Sequence, residues 1–328
     1  MSILRKLIHG TTAQRMSTTP AVGQIGSDDT LKQVALGDGV TVGGILMARD
    51  DQVVKFAAAQ ALSGPQKSQV LANVGATGLA GLRNVIINPL GLVNQRAVSG
   101  SVVLAAGAYG HDMFKAGAAG CSYTFSTSNG VTTFNITAGS LQQVIEASAF
   151  AGRAGTYFLS WAGSSTARIG TGAYGASGAV SAVCDGSGNV TVEFGTGTMS
   201  KPQFELGFLT DFATMTEQMT IDHCLRYCWD VTGPPITGLV YTGLGAIVAF
   251  PTKVRMRASP TVSIIAPMDI YDGGGGGTTI VGPGTNYSSP DRIHLVPATS
   301  GGPGLSTAGR PVILNVGNPG RLRAEAVL

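Results

Sequence analysis

Apolar residues fall in short, irregular pairs over the first fifty-five positions, in one helical stripe after that, and from about residue 84 onward in strand-length runs punctuated by glycine. Residues 1–55 mix Thr, Gly and Asp with pairs such as Val40 with Val42 and Ile45 with Leu46. That pattern predicts short strands or an extended arm with little core of its own. Over 56–83 the period changes. Ser63 is placed to cap a helix with Gln66 as its capping-box partner, Pro65 lies in the first turn, Val70, Leu71 and Val74 make one apolar stripe, and Gly75 ends it. About ten residues of helix are too few to be stable alone, so the stripe is expected to pack against copies of itself from neighbouring chains.

Over 84–230 strand-like runs recur at the spacing of a sandwich, including SVVLAAGAYG, CSYTFSTSNGVTTFNITAG, GTYFLSWAG and KPQFELG. Asn129-Gly130 and the Asp185–Asn189 stretch read as hairpin turns, because Asn, Asp and Gly accept positive φ. The alternation of Tyr123 and Phe125 with Phe134 and Ile136 places aromatics on one face across the first of these turns, and Tyr157 and Trp161 read as core. Met215–Trp229 lacks glycine and proline and is apolar at Met215, Met219, Ile221, Leu225 and Trp229, which predicts a trailing helix before Gly233, Pro234 and Pro235 break the chain. In 231–328 further strands are expected at Lys253–Arg257, with its three basic residues on one face, at Ile264-Ile265, at Val312–Leu314 and at Leu322–Leu328. The glycines 273–277 and the turn-rich stretch up to Pro303 read as exposed loops. The expected fold class is mainly β: an extended N-terminal arm (1–55), a short helix (56–83), a jelly-roll-like β-sandwich with a trailing helix (84–230) and a C-terminal β domain (231–328).

Composition agrees with this picture. With 48 glycines in 328 residues and only 21 basic and 18 acidic side chains, the chain is too weakly charged for a disordered segment. A formal net charge of +3 is too even to predict a nucleic-acid groove. The first ten residues have no apolar core of signal-peptide length, and no run approaches the ~18 residues of a membrane helix. Synthesis in a cytoplasm without membrane insertion is the expectation. Cys121, Cys184, Cys224 and Cys228 form no disulfide framework and are expected as free thiols; His223, Cys224 and Cys228 depart from the common zinc spacings, so core packing is the reading and no metal or cofactor is expected.

Three phrases carry a resemblance. AAAQALSGPQKSQVLANVGA, then Arg83-Asn84-Val85-Ile86-Ile87-Asn88-Pro89 followed by Asn94-Gln95-Arg96, and then Gln203-Phe204-Glu205-Leu206-Gly207 with Phe212 stand in the same order as the linker and sandwich phrases of tailed-phage fibre proteins. Cys224-Leu225-Arg226-Tyr227-Cys228-Trp229 resembles the C-x-R-Y-x-W phrase that follows them, and the ending from Val254 resembles the family's C-terminal strand region. The chain departs from the family by one residue fewer between Gly207 and Phe212, by Asp211 in place of Thr-Pro, and over its first fifty residues. The resemblance implies a virion protein assembled in the host cytoplasm, a homotrimer that attaches to other virion proteins through its N-terminal arm. It further implies adhesion to a host-surface polysaccharide through distal β domains. A head spike or capsid-decorating fibre is the alternative, and a glycan depolymerase the third reading.

Candidate chemistry narrows these. No G-x-S-x-G elbow, HExxH or phosphate loop occurs, and Asp185, Glu193, Glu205 and Asp211 stand singly rather than as the carboxylate pair that glycoside hydrolysis uses. A binding protein rather than an enzyme is expected. Sugar recognition stacks aromatic faces on C–H surfaces beside planar polar groups; Tyr109, His111 and Tyr174 near turns of the sandwich, with Arg168, and Tyr287 in the last domain are the candidate carbohydrate-binding residues.

Overall fold

The computed structural model describes residues 8–47, 66, 69–70, 83–231, 235–242, 245–272, 277–299, 305, 308–315 and 320–328. The chain divides into two units, 1–70 and 71–328. In the first, β1 (Ile8–Gly10), β2 (Ile25–Asp28), β3 (Gln33–Leu36) and β4 (Ile45–Leu46) form one four-stranded sheet in that order, with β1 parallel to β2 and the rest antiparallel. The short strands expected here exist, and they are organised as a sheet rather than an extended arm. Between β1 and β2 lies α1 (Thr12–Arg15), started by a capping box of Thr11 and Gln14. It is pinned to the sheet by Asp28, which accepts Arg15 Nε at 2.9 Å and Thr12 Oγ1 at 2.9 Å. Gln66, Gln69 and Val70 are helical; the remainder of the helix expected around Ser63–Gly75 lies outside the described residues.

The second unit begins with an eight-stranded sheet of β5 (Val102–Leu104), β6 (Lys115–Ser128), β7 (Val131–Ile145), β8 (Gly155–Ala162), β9 (Ala167–Ile169), β10 (Val180–Cys184), β11 (Val190–Phe194) and β12 (Gly197–Leu206). The path runs β10-β8-β12-β7-β11-β9, with β6 on β7 and β5 on β6. All eight strands feed one buried cluster that includes Phe114, Tyr123, Phe134, Tyr157, Trp161, Phe194 and Phe204. The strands are therefore bent around a common core, as in a sandwich. β6 and β7 turn at Asn129 and Gly130, whose φ values are 49° and 71°, and Tyr123 lies opposite Ile136 and Phe125 opposite Phe134. The aromatic row read from the alternation is real. At the bend the backbones meet: a Cβ on Gly139 would come within 2.0 Å of Gly120 O, which only glycine permits.

The Asp185–Asn189 turn is not a hairpin. β10 pairs with β8, whereas β11 pairs with β7 and β9. The polar residues serve other bonds: Asp185 accepts Ser187 N at 2.9 Å, and Asn189 Oδ1 accepts Ala147 N at 3.0 Å.

The polar residues of the Arg83–Arg96 and Gln203–Phe212 segments act as latches, whereas the Ala57–Ala76 phrase lies almost wholly outside the described residues. Asn84 Nδ2 donates to Pro202 O and Ala213 O, both at 3.1 Å, while its Oδ1 accepts the amides of Ile86 (3.0 Å) and Phe204 (3.1 Å). Gln203 Oε1 accepts Ala213 N at 2.6 Å, and Glu205 accepts Gln203 Nε2 and the amide of Thr210, each at 2.7 Å. Asn88 binds Val93 and Asp112, and Gln95 reaches Asp112 and Cys228 O. Each amide side chain satisfies buried backbone groups that no ladder reaches.

After the sandwich, α2 (Glu217–Leu225) is capped by Thr216, and the expected helix stops short of Trp229 because β13 (Cys228–Val231) begins there. The chain continues through β14 (Ile236–Thr242), β15 (Gly245–Pro251), β16 (Thr261–Ala266), β17 (Met268–Asp272), β18 (Gly277–Asn286), β19 (Arg292–Thr299), β20 (Pro311–Leu314) and β21 (Arg321–Glu325). β13, β21 and β16 form a three-stranded sheet, and the others close a six-stranded barrel, β14-β15-β19-β18-β17-β20. Two expectations fail. Gly277–Asn286 and Arg292–Thr299 are barrel strands rather than exposed loops, since Ile280, Ile293 and Leu295 enter the core, and the register shifts around Gly282 and Gly284. Lys253–Arg257 is not a strand: Met256 N bonds Pro290 O and Arg257 N bonds Arg226 O, both at 2.8 Å. The three basic residues consequently diverge, Lys253 over the Trp229 ring, Arg255 to Asp291 and Arg257 to Ala326 O.

Candidate carbohydrate-binding surface

Antiparallel pairing sets Arg168 of β9 opposite Glu193 of β11, Glu193 opposite Gln142 of β7, and Gln142 opposite Lys115 of β6. Directly opposed residues share a face, so these four form a transverse polar row on the side away from the core residues Leu141, Phe194 and Ala167. The loop after β9 doubles back, with Gly175 bridging Ala167, and this brings Tyr174 to the end of the row beside Arg168. The guanidinium carbon of Arg168 lies 4.8 Å from the Tyr174 ring centroid. A Cβ on Gly195 would make ordinary contact with Tyr174 Cε1, at 3.4 Å.

Glu193 holds the group together. Its Oε1 accepts Ser140 Oγ at 2.5 Å and the Tyr174 hydroxyl at 2.8 Å, and its Oε2 accepts Arg168 Nε at 2.9 Å. Gly117 makes room, because a Cβ there would meet Ser140 Oγ at 2.1 Å. Burial opposes the charge on Glu193, but the hydrogen bonds from Ser140, Tyr174 and Arg168 outweigh it and hold the carboxyl below the ordinary glutamate value. Burial, and then the carboxylate beside it, raise the Tyr174 hydroxyl above the usual phenol value. The pair thus stays carboxylate and phenol at neutral pH. A carboxylate committed to three donors orients its neighbours and is poorly suited to give up a proton as a general acid. What the arrangement offers is a tyrosine ring, 42% exposed, fixed at its hydroxyl and stacked on one side, next to a row of planar hydrogen-bonding groups.

The other three residues read from the sequence are placed differently. His111 is a correction: it is 2% exposed, edge-on to Phe125 at 4.4 Å and Phe134 at 4.9 Å, with Nδ1 3.1 Å from the Tyr123 hydroxyl. It is part of the core and presents no face to a ligand. Burial pushes its pKa down to about 4. Tyr109 is half-buried; its hydroxyl donates to Leu328 O at 2.7 Å and accepts Leu328 N at 3.2 Å, and Arg96 covers its ring at 5.0 Å. It ties Leu328 to the sandwich. Tyr287 is exposed on the barrel, tilted against His294 at 5.5 Å, far along the chain from the row and without a hydroxyl partner among the described residues.

Two exposed barrel tyrosines were missed by the sequence reading, Tyr241 and Tyr271. Tyr271 is held through its hydroxyl by Asp269 at 3.2 Å and lies over Gly277. The alternation Met268, Ile270 inward with Asp269, Tyr271 outward is the signal that would have found it. A cleft of about 430 Å³ lies between α2, β13 and the 92–95 loop, lined by Trp229, Lys253, Glu217 and Leu92 among others. All four cysteines are buried free thiols, and no cluster of three or more metal-ligating side chains occurs among the described residues. No protein-family model matches this chain, and no curated protein or solved structure matches it.

Proposed function

We propose that this chain is a structural virion fibre protein of a tailed phage or phage-like particle, binding a host-surface glycan through its β domains. The observation that carries the glycan reading is the Tyr174–Arg168–Glu193 row: an exposed, immobilised aromatic ring with planar polar groups alongside is the surface that a sugar's C–H face and hydroxyls complement. Immobilisation matters because a side chain already ordered loses little entropy on binding. The virion reading is supported by the order of the phrases along residues 56–229. The polar members of the second and third phrases latch the sandwich, so those two consist of residues that the fold uses. As a homotrimer, the fibre would present three such rows, and linked weak sites raise effective affinity without new contacts.

Binding of the labelled full chain to host cells, before and after periodate cleavage of surface vicinal diols, tests the proposal. Retention is expected on untreated cells and loss after periodate. Equal retention on both would direct the search to a protein receptor and overturn the glycan reading.

A further inference from the structure

The cleft of about 430 Å³ between α2, β13 and the 92–95 loop carries two polar groups that the fold leaves unused. Trp229 is 5% exposed, and its Nε1 is buried with no hydrogen-bond partner among the described residues. A buried donor without an acceptor is rare in a folded protein and calls for a cause. Lys253 holds its Nζ 5.8 Å from the centroid of the same indole ring, and no carboxylate pairs with it among the described residues. The polar groups around them are engaged. Asn94 bonds Val98 through both atoms of its amide, and Gln95 binds Asp112, Cys228 O and the amide of Asp230. Asp230 in turn accepts Arg321 and Arg323. Glu217 stands exposed in the first turn of α2, where solvent screens its charge. The rest of the wall is aliphatic, made by Leu92, Val93, Ile221 and Leu225.

We propose that this cleft binds a small aliphatic carboxylate, the chemistry of a medium-chain fatty acid. A carboxylate answers both unused groups at once, since it accepts from an indole N–H and neutralises an ammonium. The body of the ligand follows from the wall. A sugar entering here would need partners for its hydroxyls, and the neighbouring amides and the Asp230–Arg321 pair are bound to one another and to the backbone. A hydrocarbon chain needs no such partners, and its burial against aliphatic side chains is favourable. The volume lies in the range that small-ligand pockets occupy. The cleft shares no residue with the Tyr174 row, so this site stands independently of the glycan reading.

Titration calorimetry of the full chain with sodium octanoate is the test. Octanamide keeps the chain without the charge, and acetate keeps the charge without the chain. Octanoate is expected to bind saturably, and both controls at least ~10-fold more weakly. Lys253→Met keeps an apolar stem over the indole and should weaken octanoate about tenfold while leaving octanamide unchanged. Leu92→Glu sets a carboxylate on an exposed wall position and should abolish octanoate binding, whereas Tyr174→Ala should bind octanoate as the wild type does. Both cleft variants replace exposed side chains, and urea midpoints near that of the wild type are expected for each. No saturable heat with octanoate, octanamide bound as tightly as octanoate, or wild-type affinity in Lys253→Met or Leu92→Glu would each overturn the proposal.

Discussion

His111 shows how much one buried side chain can dictate. Enclosed by Phe125 and Phe134, it must remain neutral, and burial holds its pKa near 4. In the unfolded chain histidine takes a proton near pH 6.5. Between these values the unfolded state binds more protons than the folded one, so stability is undiminished above pH 6.5 and falls as pH drops towards 4, by up to about 3 kcal/mol. Burial and the Arg226 charge lower His223 as well, against Asp222, which adds to the same slope. Urea midpoints measured from pH 7 to 4.5 should therefore fall, and His111→Phe, which keeps an aromatic ring in the cage, should flatten most of that slope. A wild-type midpoint indifferent to pH would contradict the neutral buried ring. At this scale the sequence was half legible. Tyr174 and Arg168 stand six residues apart near glycines, and both could be named as candidates. Glu193, which fixes them, is a further nineteen residues on and joins them only through the β9–β11 pairing.

Among the elements, the latches hold the bent sheet in register. Asn84→Ala would strand two buried carbonyls and two buried amides at once, so a loss of about 3 kcal/mol or more is expected, read as a lower urea midpoint with unchanged slope. Asn84→Asp should fare no better, since a carboxylate cannot donate to Pro202 O and Ala213 O. An unfolding free energy within ~0.5 kcal/mol of wild type would show that water replaces the amide. The β6–β7 hairpin was legible because Asn129-Gly130 is a local signal flanked by alternating residues. β18 and β19 were not, because glycine and proline interrupt 282–303 and the burial of these strands is decided by partners such as β15 and β17. The Asp185–Asn189 turn misled for the converse reason: its residues suit a hairpin, yet the strands it joins pair elsewhere.

At the scale of the whole molecule, Arg96 and the Gln95 carbonyl join the sandwich side to the C-terminal sheet through Glu325 and Arg321, while Asp230 is paired within that sheet. Arg96 pairs with Glu325 at 2.5 Å, Arg323 with Asp230 at 2.5 Å, and Arg321 binds the same Asp230. On the proposed fibre reading, the adhesive β domains are carried outward. Gold-labelled antibody against residues 231–328 is expected at the tail tip of intact particles, and label confined to the capsid would make this a head fibre. The glycan row itself is tested most directly by titrating the polysaccharide released from host surfaces into the full chain and its Tyr174→Ala variant by calorimetry. Loss of the ring should weaken binding about tenfold or more, while the unfolding free energy from urea titration changes by less than ~1 kcal/mol because Glu193 keeps Ser140 and Arg168. Equal affinity of the two proteins, or no heat with either, would contradict a glycan site at Tyr174.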